Sequence, residues 1–471
     1  MTATAPRKRR AWDVIAELKK PRVAQMLALG VSSGLPFALV GSTLGYWLAD
    51  RQIDIATIGL VSAVGFAYTV KFLWGAIVDR IKLPLIGRLG RRRSWMLVAQ
   101  VIVGVAFIAM AAVDPAPRIG AFVTLAAIAA IGAAMQDTVI DAWRIESAAD
   151  PDELGLLTST YTLGYRIALI FTETLILSVA KRLGWPVSYV ICGAAMAIGI
   201  AAALRATEPA QADSVMEAKA QAARRNPFAA VIDAVFGPLF AFFRDHGVAM
   251  AALMLGMITL YHLSDYGRGP MIAPYYTALG IDKDTIAAVR LVLGTPATFF
   301  GIALGGISSV RLGAMRSLVI GAVVQVIAVG NFAILGFHGG DFDLLAAEPV
   351  HVTAFQAIMT FDSLAMGYAG IALVSYMSTL TSLGYTATQY ALLTSALAIT
   401  GKTLKAWSGT IVKSIQHGGD LLHALTTYYL VCAAFGVPAI AMCLILAAVV
   451  RPRLSSLVPQ RTGEVADRTA G

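Results

Sequence analysis

The chain has 471 residues, of which 58% are hydrophobic and only 14% are charged. Soluble domains carry about a quarter charged residues, so this composition excludes an ordinary array of soluble domains. The net charge of +9 does not indicate a nucleic-acid-binding protein, because the basic residues flank apolar segments, where membrane proteins place them to set orientation.

Apolar stretches recur along the chain, and each is long enough to cross a hydrocarbon layer about 30 Å thick. We predict a first set of six spans at 23–48, 55–79, 95–113, 119–143, 155–180 and 187–205. A second set follows at 248–277, 284–307, 317–336, 352–377, 386–412 and 422–450. The sequence therefore predicts an all-α integral membrane protein with about twelve transmembrane helices in two pseudo-symmetric six-helix bundles.

Polar segments divide the chain into five parts. Residues 1–22 form a basic N-terminal segment that is too charged for a cleavable signal, and residues 451–471 form a tail. The two bundles occupy 23–206 and 247–450. The linker between them, 207–246, has an apolar second part that is suited to lie on the membrane surface as a helix.

The distribution of Lys and Arg predicts the orientation of the chain. Of 37 such residues, 24 fall in the termini and loops on the N-terminal side of the membrane, 6 in the opposite loops and 7 within spans. An excess of positive charge is typical of the cytoplasmic side. We therefore place both termini and the linker in the cytoplasm.

Short matches relate the two halves. The motif LLTS occurs in the fifth span of each half, at 156–159 and again at 392–395, and the same offset relates Arg166 to Lys402. In the preceding spans Asp137 matches Asp362 at a somewhat shorter offset, 225 in place of 236. Repeated halves place a substrate site near the membrane midplane at their interface.

Ionisable residues in or near the predicted spans are the strongest functional signal. The cations are Lys71, Arg144, Arg166, Arg268, Arg290, Lys402 and Lys405. The acids are Asp79, Asp137, Asp141, Glu173, Asp265 and Asp362. A charge at the bilayer centre costs at least about 2.5–3.5 kcal/mol. These side chains must therefore face one another or a hydrated cavity, as a transporter of a charged solute requires.

Helical spacing groups some of these charges on common faces. Asp137, Asp141 and Arg144 are spaced i, i+4 and i+7 and so share one helix face. Near the helix ends such charges could equally be structural ion pairs that lock helices together. For Asp137, Arg166 and Lys402, which lie deeper in their spans, we favour a cavity.

A proton-coupled carrier needs a group that binds a proton on one side of the membrane and releases it on the other. A carboxylate can do so when burial favours its neutral form and a nearby cation favours its charged form. A histidine can also titrate near neutrality. The candidates for this role are Asp137, Glu173, Asp265, Asp362 and His262.

Motifs of catalysis and nucleotide binding are absent from the sequence. It contains no HExxH, no dinucleotide-binding GxGxxG and no complete Walker A motif. Cys192, Cys432 and Cys443 lie far apart in apolar segments without metal-binding spacing. We therefore predict no enzymatic activity, no cofactor and no metal, and an ion gradient as the energy source.

The connection after the second span resembles the signature loop of the major facilitator superfamily. Gly75 is followed by Asp79 and Arg80 and, after an insertion, by the basic run 90–93 (GRRR). In that family the acid and the basic cluster brace the cytoplasmic gate. The resemblance implies a gate made by Gly75, Asp79, Arg80, Arg91, Arg92 and Arg144.

More specific stretches resemble the muropeptide permease (AmpG) family. They are 34–39 (GLPFAL), 56–60 (ATIGL), 71–74 (KFLW), 136–144 (QDxxxDAxR), 163–166 (LGYR) and 387–395 (ATQYALLTS). The resemblance covers residues 30 to about 412. It implies import of anhydro-muropeptides, the sugar–peptide fragments of recycled cell wall, by proton symport across the bacterial inner membrane. The implied partners are a small sugar–peptide solute, protons and lipids, and no nucleic acid. The protein is expected to function as a monomer.

The resemblance also suggests which residues bind the solute. Gln136, Asp137 and Arg166 would line the cavity of the first half, and Lys71 and Tyr165 would lie near it. Two further candidates come from the residues themselves. Tyr261 could stack on a sugar face, and the internal repeat adds Lys402 as a cation for substrate carboxylates. His262 stands where the family usually has lysine.

Other functions remain open at this point. A carrier of the same fold could take another anionic solute, such as a siderophore or an acyl-coenzyme A. A non-transporting membrane assembly factor or sensor could keep the scaffold but would not need the intramembrane charges. A membrane enzyme would need a polar catalytic cluster or a metal site, and the sequence shows neither.

Overall fold

Long apolar helices make up both halves of the computed structural model. It describes residues 20–53, 57, 61, 63–84, 86–209, 237–281, 283–338, 343–347, 350–381, 385–417 and 419–456. Of the predicted linker, residues 210–236 lie outside this range, as do residues 1–19 of the basic N-terminal segment and residues 457–471 of the tail. The linker's last part forms a helix, Gly237–His246.

The first half contains eight described α-helices. They are α1 Pro21–Val40, α2 Ser42–Asp50, α3 Lys71–Arg80, α4 Arg91–Ala111, α5 Ile119–Ser147, α6 Pro151–Ile170, α7 Ile176–Leu183 and α8 Trp185–Arg205. Short 3₁₀-helices occur at Ala63–Tyr68 and Ile86–Leu89, and a π-helical segment at Phe171–Leu175 joins α6 to α7. The fifth predicted span is therefore one continuous helical rod.

The second half contains eleven described α-helices. They are α9 Gly237–His246, α10 Val248–Tyr261, α11 Leu263–Arg268, α12 Ile272–Ala278, α13 Lys283–Val289, α14 Thr295–Leu312, α15 Ala314–His338, α16 Ala354–Thr379, α17 Thr386–Gln416, α18 Leu421–Phe435 and α19 Val437–Ser456. A 3₁₀-helix, Gly269–Met271, links α11 to α12, and a π-helical segment, Arg290–Gly294, links α13 to α14.

A β-hairpin precedes α16, where the sequence predicts only a connection. Strands β1 Asp343–Ala347 and β2 Val350–Thr353 pair antiparallel, with Asp343 opposite Thr353 and Ala347 opposite Val350. Thr353 then caps α16, because its hydroxyl accepts from the N–H of Gln356 and the Gln356 side chain accepts from the N–H of Thr353. The hairpin is a small addition to an otherwise helical membrane fold.

Hydropathy separates the helices into two groups. Within the described part of the chain, nine helical stretches are long and apolar enough to cross a membrane. The predicted spans 55–79, 155–180 and 386–412 are not among the nine. These three spans carry Lys71, Arg166 and Lys402. Each contributes intramembrane charge and a helix that faces the other half.

Each half has its own apolar core, and helices from both halves meet at the junction between them. α1 packs on α6 in the first half, and α14 and α15 pack on α16 in the second. Across the junction α3 lies against α17 and α6 lies against α14. Three of these helices, α3, α6 and α17, belong to the more polar spans, so a site between the halves is bordered largely by them.

Small residues allow the close contacts within each half. A Cβ atom built on Gly30 would collide with the backbone of Tyr161, and one on Gly301 with the backbone of Leu364. Only glycine can occupy such positions without moving a helix. The GxxxG pairs that begin at these two residues therefore act as packing surfaces within the bundles.

The helix bounds test the predicted internal repeat. The starts of α5 and α16 are offset by 235 in the numbering (354 − 119), and so are the starts of α6 and α17 (386 − 151). The match of Arg166 with Lys402 agrees with this spacing to within one position. The match of Asp137 with Asp362 is wrong by about ten residues, or roughly 15 Å of helix. The two acids therefore lie at different depths in their halves.

Candidate functional site

A cavity of about 340 Å³ lies between the two halves. The first half contributes one charged side chain, Arg166 of α6, among the described residues that line it. The second half contributes Arg268, Arg290 and Asp362, together with the rings of Tyr276 and Phe299. The lining is therefore cationic, with aromatic and apolar surface between the charges.

Arg268 is bound by two carboxylates. Its Nη2 atom lies 2.6 Å from Asp265 and 2.9 Å from Asp362, and its Nε atom donates to Asp265 at 2.9 Å. Its guanidinium also stacks over the ring of Phe332, 5.2 Å from the centroid. Arg268 is only 4% exposed, so it serves mainly to hold the two acids in place.

We expect Arg268→Gln to lower the stability of the protein sharply. Breaking a buried ion pair by removing one partner costs about 3–5 kcal/mol, because the remaining charge stays buried without compensation. Two carboxylates, Asp265 and Asp362, would be left in this state. The measurement is the apparent melting temperature and the monodisperse yield of the purified protein.

The matched control removes the acids as well. A variant that combines Arg268→Gln with Asp265→Asn and Asp362→Asn has no uncompensated charge, so it should recover most of the lost stability. A triple variant as unstable as Arg268→Gln alone would contradict the assignment of Arg268 as the counter-ion of both acids.

The cavity lies far from the end of the bundle at which α16 finishes. Ser378 lies near that end, on the same helix as Asp362. The two residues are about 16 residues apart, which at about 1.5 Å per residue is roughly 24 Å along the helix axis. Between the two levels, side chains from both halves fill the junction.

The Arg144 cluster, defined by Arg144, Asp141, Tyr161, Tyr390 and Ser378, lies at this junction. Arg144 is fully buried and stacks over the rings of Tyr161 and Tyr390, each 5.4 Å from its guanidinium carbon. Its Nη2 atom lies 3.2 Å from Asp141 and donates to the Ser378 hydroxyl at 3.3 Å. Because Tyr390 and Ser378 belong to the second half, Arg144 joins the halves.

A second cluster closes the junction nearer the helix ends. The Asp79 cluster consists of Asp79, Arg92, Glu146 and Thr388. One oxygen of Asp79 accepts from Arg92 at 2.8 Å, and the other accepts from the N–H and the hydroxyl of Thr388 at 2.9 and 2.7 Å. Arg92 also pairs with Glu146 at 2.5 Å. Asp79 and Arg92 are buried, so this end of the junction is sealed.

The other predicted gate residues lie around the Asp79 cluster. Gly75 is in backbone contact with the second half, since a Cβ atom there would lie 2.8 Å from the Cα of Thr388. Arg91 donates to the backbone carbonyl of Asp79 at 2.9 Å. Arg80 is the last residue of α3. These positions brace the contact between α3 and α17.

Several predicted binding residues lie inside the first bundle and not among the residues that line the cavity. Gln136 is fully buried and donates to Ser32 at 2.9 Å. Asp137 is 8% exposed and accepts from the hydroxyl of Ser33. Lys71 lies 3.7 Å from Asp141 at the edge of the Arg144 cluster. These side chains form a buried polar layer next to the junction.

The remaining predicted residues are spread over the junction and the second half. Tyr165 packs against Phe37, with 6.1 Å between ring centroids. Tyr261 is 2% exposed and donates to the carbonyl of Leu318, and His262 packs against its ring. Lys402 donates across the junction to the hydroxyl of Thr69. The side chain of Glu173 lies outside the described residues.

Besides Arg268, the cavity residues Arg290, Tyr276 and Phe299 have no role in the sequence-based site. Arg290 counts among the intramembrane cations, and this is the signal that could have identified it. Tyr276 and Phe299 give no such signal, because aromatic residues in apolar helices are usually packing residues. Only the packing of α12 and α14 around the cavity brings them to it.

Comparison with known proteins decides the family. Residues 26–401 match the model of the Major Facilitator Superfamily. The chain belongs to this superfamily. It is therefore a multi-pass membrane transporter of the superfamily, and the predicted all-α fold with two helical bundles is confirmed.

Relatives within the superfamily carry related names. The chain is 32% identical to the anhydromuropeptide permease of Escherichia coli (strain K12), over 91% of this chain and 80% of that protein. It is 27% identical to a putative transporter, AmpG 4, of Rickettsia conorii, over 86% of this chain and 94% of that protein. The predicted resemblance to AmpG proteins is thereby confirmed.

Solved structures of the superfamily share the fold at low sequence identity. The proton:xylose symporter XylE matches with a TM-score of 0.63 and 14% identity, over 91% of this chain and 95% of XylE. The E. coli fucose:proton symporter FucP matches with a TM-score of 0.62 and 15% identity, over 90% of this chain and 97% of FucP. These likenesses concern the fold alone.

Proposed function

We propose that the protein imports anhydro-muropeptides, GlcNAc-anhydroMurNAc-peptides, from the periplasm to the cytoplasm for peptidoglycan recycling. The observation that carries this proposal is the cationic cavity to which both halves contribute. Peptide carboxylates of the solute would bind its arginines, since charges attract strongly in a site of low dielectric constant. The apolar and aromatic lining, with Tyr276 and Phe299, would contact the sugar rings.

The proposed orientation follows from the positive charge. With 24 Lys and Arg residues on one side against 6 on the other, both termini would lie in the cytoplasm of a bacterium, with the bundles in its inner membrane. The Asp79 cluster would then be the cytoplasmic gate. In this arrangement the gate is closed, and the cavity lies in the periplasmic half of the junction.

Transport would proceed by alternating access. The halves would rock about the cavity, so that the Asp79 and Arg144 clusters separate when the opposite end closes. An inward proton gradient would drive the cycle. Among the described residues that line the cavity, Asp362 is the one that belongs to the five proton-coupling candidates, so we take it as the first candidate for the coupled proton.

Uptake of labelled anhydro-muropeptide into proteoliposomes, with and without an inward proton gradient, tests the proposal. We expect accumulation above the external concentration only with the gradient. Accumulation that does not depend on the gradient would remove the symport mechanism. No uptake by protein shown to be folded would remove the muropeptide assignment.

A second candidate cargo is another anionic solute, such as a siderophore or an acyl-coenzyme A. The net positive charge of the cavity favours anions without selecting one of them. Competition against labelled muropeptide separates these cases, because a true cargo competes at concentrations near its own KM. A non-transporting sensor or assembly factor would bind the solute without gradient-driven accumulation.

A further inference from the structure

Arg290 lies at the start of the π-helical segment Arg290–Gly294. Pro296 follows shortly after, and its missing N–H interrupts the normal helical hydrogen bonds. Widened turns of this kind change which side of a helix a residue faces, and they are frequent at functional sites. Arg290, Gly294, Thr295 and Thr298 all line the cavity, so the segment presents Arg290 to it.

The two arginines that the second half contributes to the cavity differ in their surroundings. Arg268 is buried and bound by Asp265 and Asp362. Arg290 is exposed at the cavity, and its guanidinium forms no hydrogen bond or ion pair with any residue in the described ranges. The charged neighbours that line the same cavity are Arg166, Arg268 and Asp362. Arg290 is thus available to a ligand.

We propose that Arg290 binds a carboxylate of the solute and determines the preference for acidic cargo. The inference rests on the proposed function and assigns a chemical task within it. A guanidinium presents parallel N–H donors that match the two oxygens of a carboxylate. Tyr276 lines the wall of the same cavity, so an acidic peptide end bound at Arg290 would leave the sugar rings to the aromatic surface.

The test compares two probes in proteoliposomes. One is an anhydro-muropeptide with free stem-peptide carboxylates, and the other is the same molecule with these carboxylates amidated. Wild-type protein should prefer the free acid in KM by about 10- to 100-fold, the effect expected for a charge-assisted hydrogen bond. Arg290→Gln should raise the KM for the free acid by that factor, with kcat changed little, and so abolish the preference.

Two further variants separate this task from a structural role. Arg290→Lys keeps the positive charge and should retain most of the preference. Arg311→Gln removes an exposed cation from the far end of α14 and should behave as wild type. Wild type and Arg290→Gln, each measured with both probes, form a double-mutant cycle between the Arg290 side chain and the solute carboxylate.

The outcomes are distinct. Loss of preference in Arg290→Gln, retained in Arg290→Lys, supports the inference. Equal loss of uptake for both probes, or an unchanged preference, overturns it while wild-type uptake keeps the proposed function intact. Absence of uptake of either probe by folded wild-type protein overturns the inference and the proposed function together.

Discussion

Arg166→Gln is expected to abolish gradient-driven uptake while the protein still folds. Among the described residues that line the cavity, Arg166 is the charged side chain that the first half supplies. A solute held by Arg166 and by the second half therefore bridges the two halves, which move relative to each other during transport. Losing one partner of a buried charge pair costs about 2–5 kcal/mol, which corresponds to a loss of uptake of about 30-fold to several thousand-fold.

The control is Arg182→Gln, the same substitution at the far end of the same helical rod. Arg182 is exposed in α7, several helical turns beyond Arg166, and is not among the residues that line the cavity. It should transport as wild type. Size-exclusion profiles and melting temperatures of both variants should match wild type, and normal uptake by Arg166→Gln would discredit the role of Arg166.

The spans were predictable because crossing a bilayer imposes a length and an apolar composition. The span predicted at 119–143 corresponds to α5, Ile119–Ser147, and that at 386–412 corresponds to α17, Thr386–Gln416. The interruptions within spans were not predicted. The break at His262 between α10 and α11 depends on local backbone hydrogen bonding, which a hydropathy average over a whole span does not register.

The charge of the site was predictable from the sequence, but the identity of the residues that line it was less so. The free-energy cost of placing charges inside the membrane indicated a cavity, and the repeated halves placed it at their interface. Arg166 lines this cavity. Helical periodicity gives the face that a residue shares with its neighbours in sequence, but it does not tell which helix covers that face. Gln136 and Asp137 are covered by α1, through Ser32 and Ser33. Their roles in binding stay predictions.

Asp79→Asn is expected to open the sealed end of the junction. Both carboxylate oxygens of Asp79 accept hydrogen bonds, one from Arg92 and the other from Thr388 of the second half. An asparagine has one acceptor oxygen, so its NH₂ group must face either Arg92 or the N–H of Thr388. Each charge-assisted bond lost costs about 1.5–3 kcal/mol, which shifts the balance between closed and open states by about 10- to 150-fold.

The measurement is the rate at which a polar thiol reagent labels Ser378→Cys in detergent. Ser378 is 2% exposed beside Arg144 in the Arg144 cluster, and cysteine is nearly isosteric with serine. Cys192, Cys432 and Cys443 are buried and give a low background. Labelling should be slow in the Ser378→Cys protein and at least about 10-fold faster when Asp79→Asn is added. Uptake should fall correspondingly, because the state that is closed at the Asp79 cluster and open to external solute becomes rare.

Asp114→Asn provides the comparison, since it neutralises an acid outside the junction. Asp114 pairs with Arg51 at 3.6 Å, and both side chains are more than two-fifths exposed. Exposed pairs contribute about 0–1 kcal/mol, so labelling and uptake should stay as in wild type. Rapid labelling of Ser378→Cys without any further change would contradict the sealed junction. Slow labelling in both Asp variants would instead show that the Arg144 cluster holds the halves together without the Asp79 cluster.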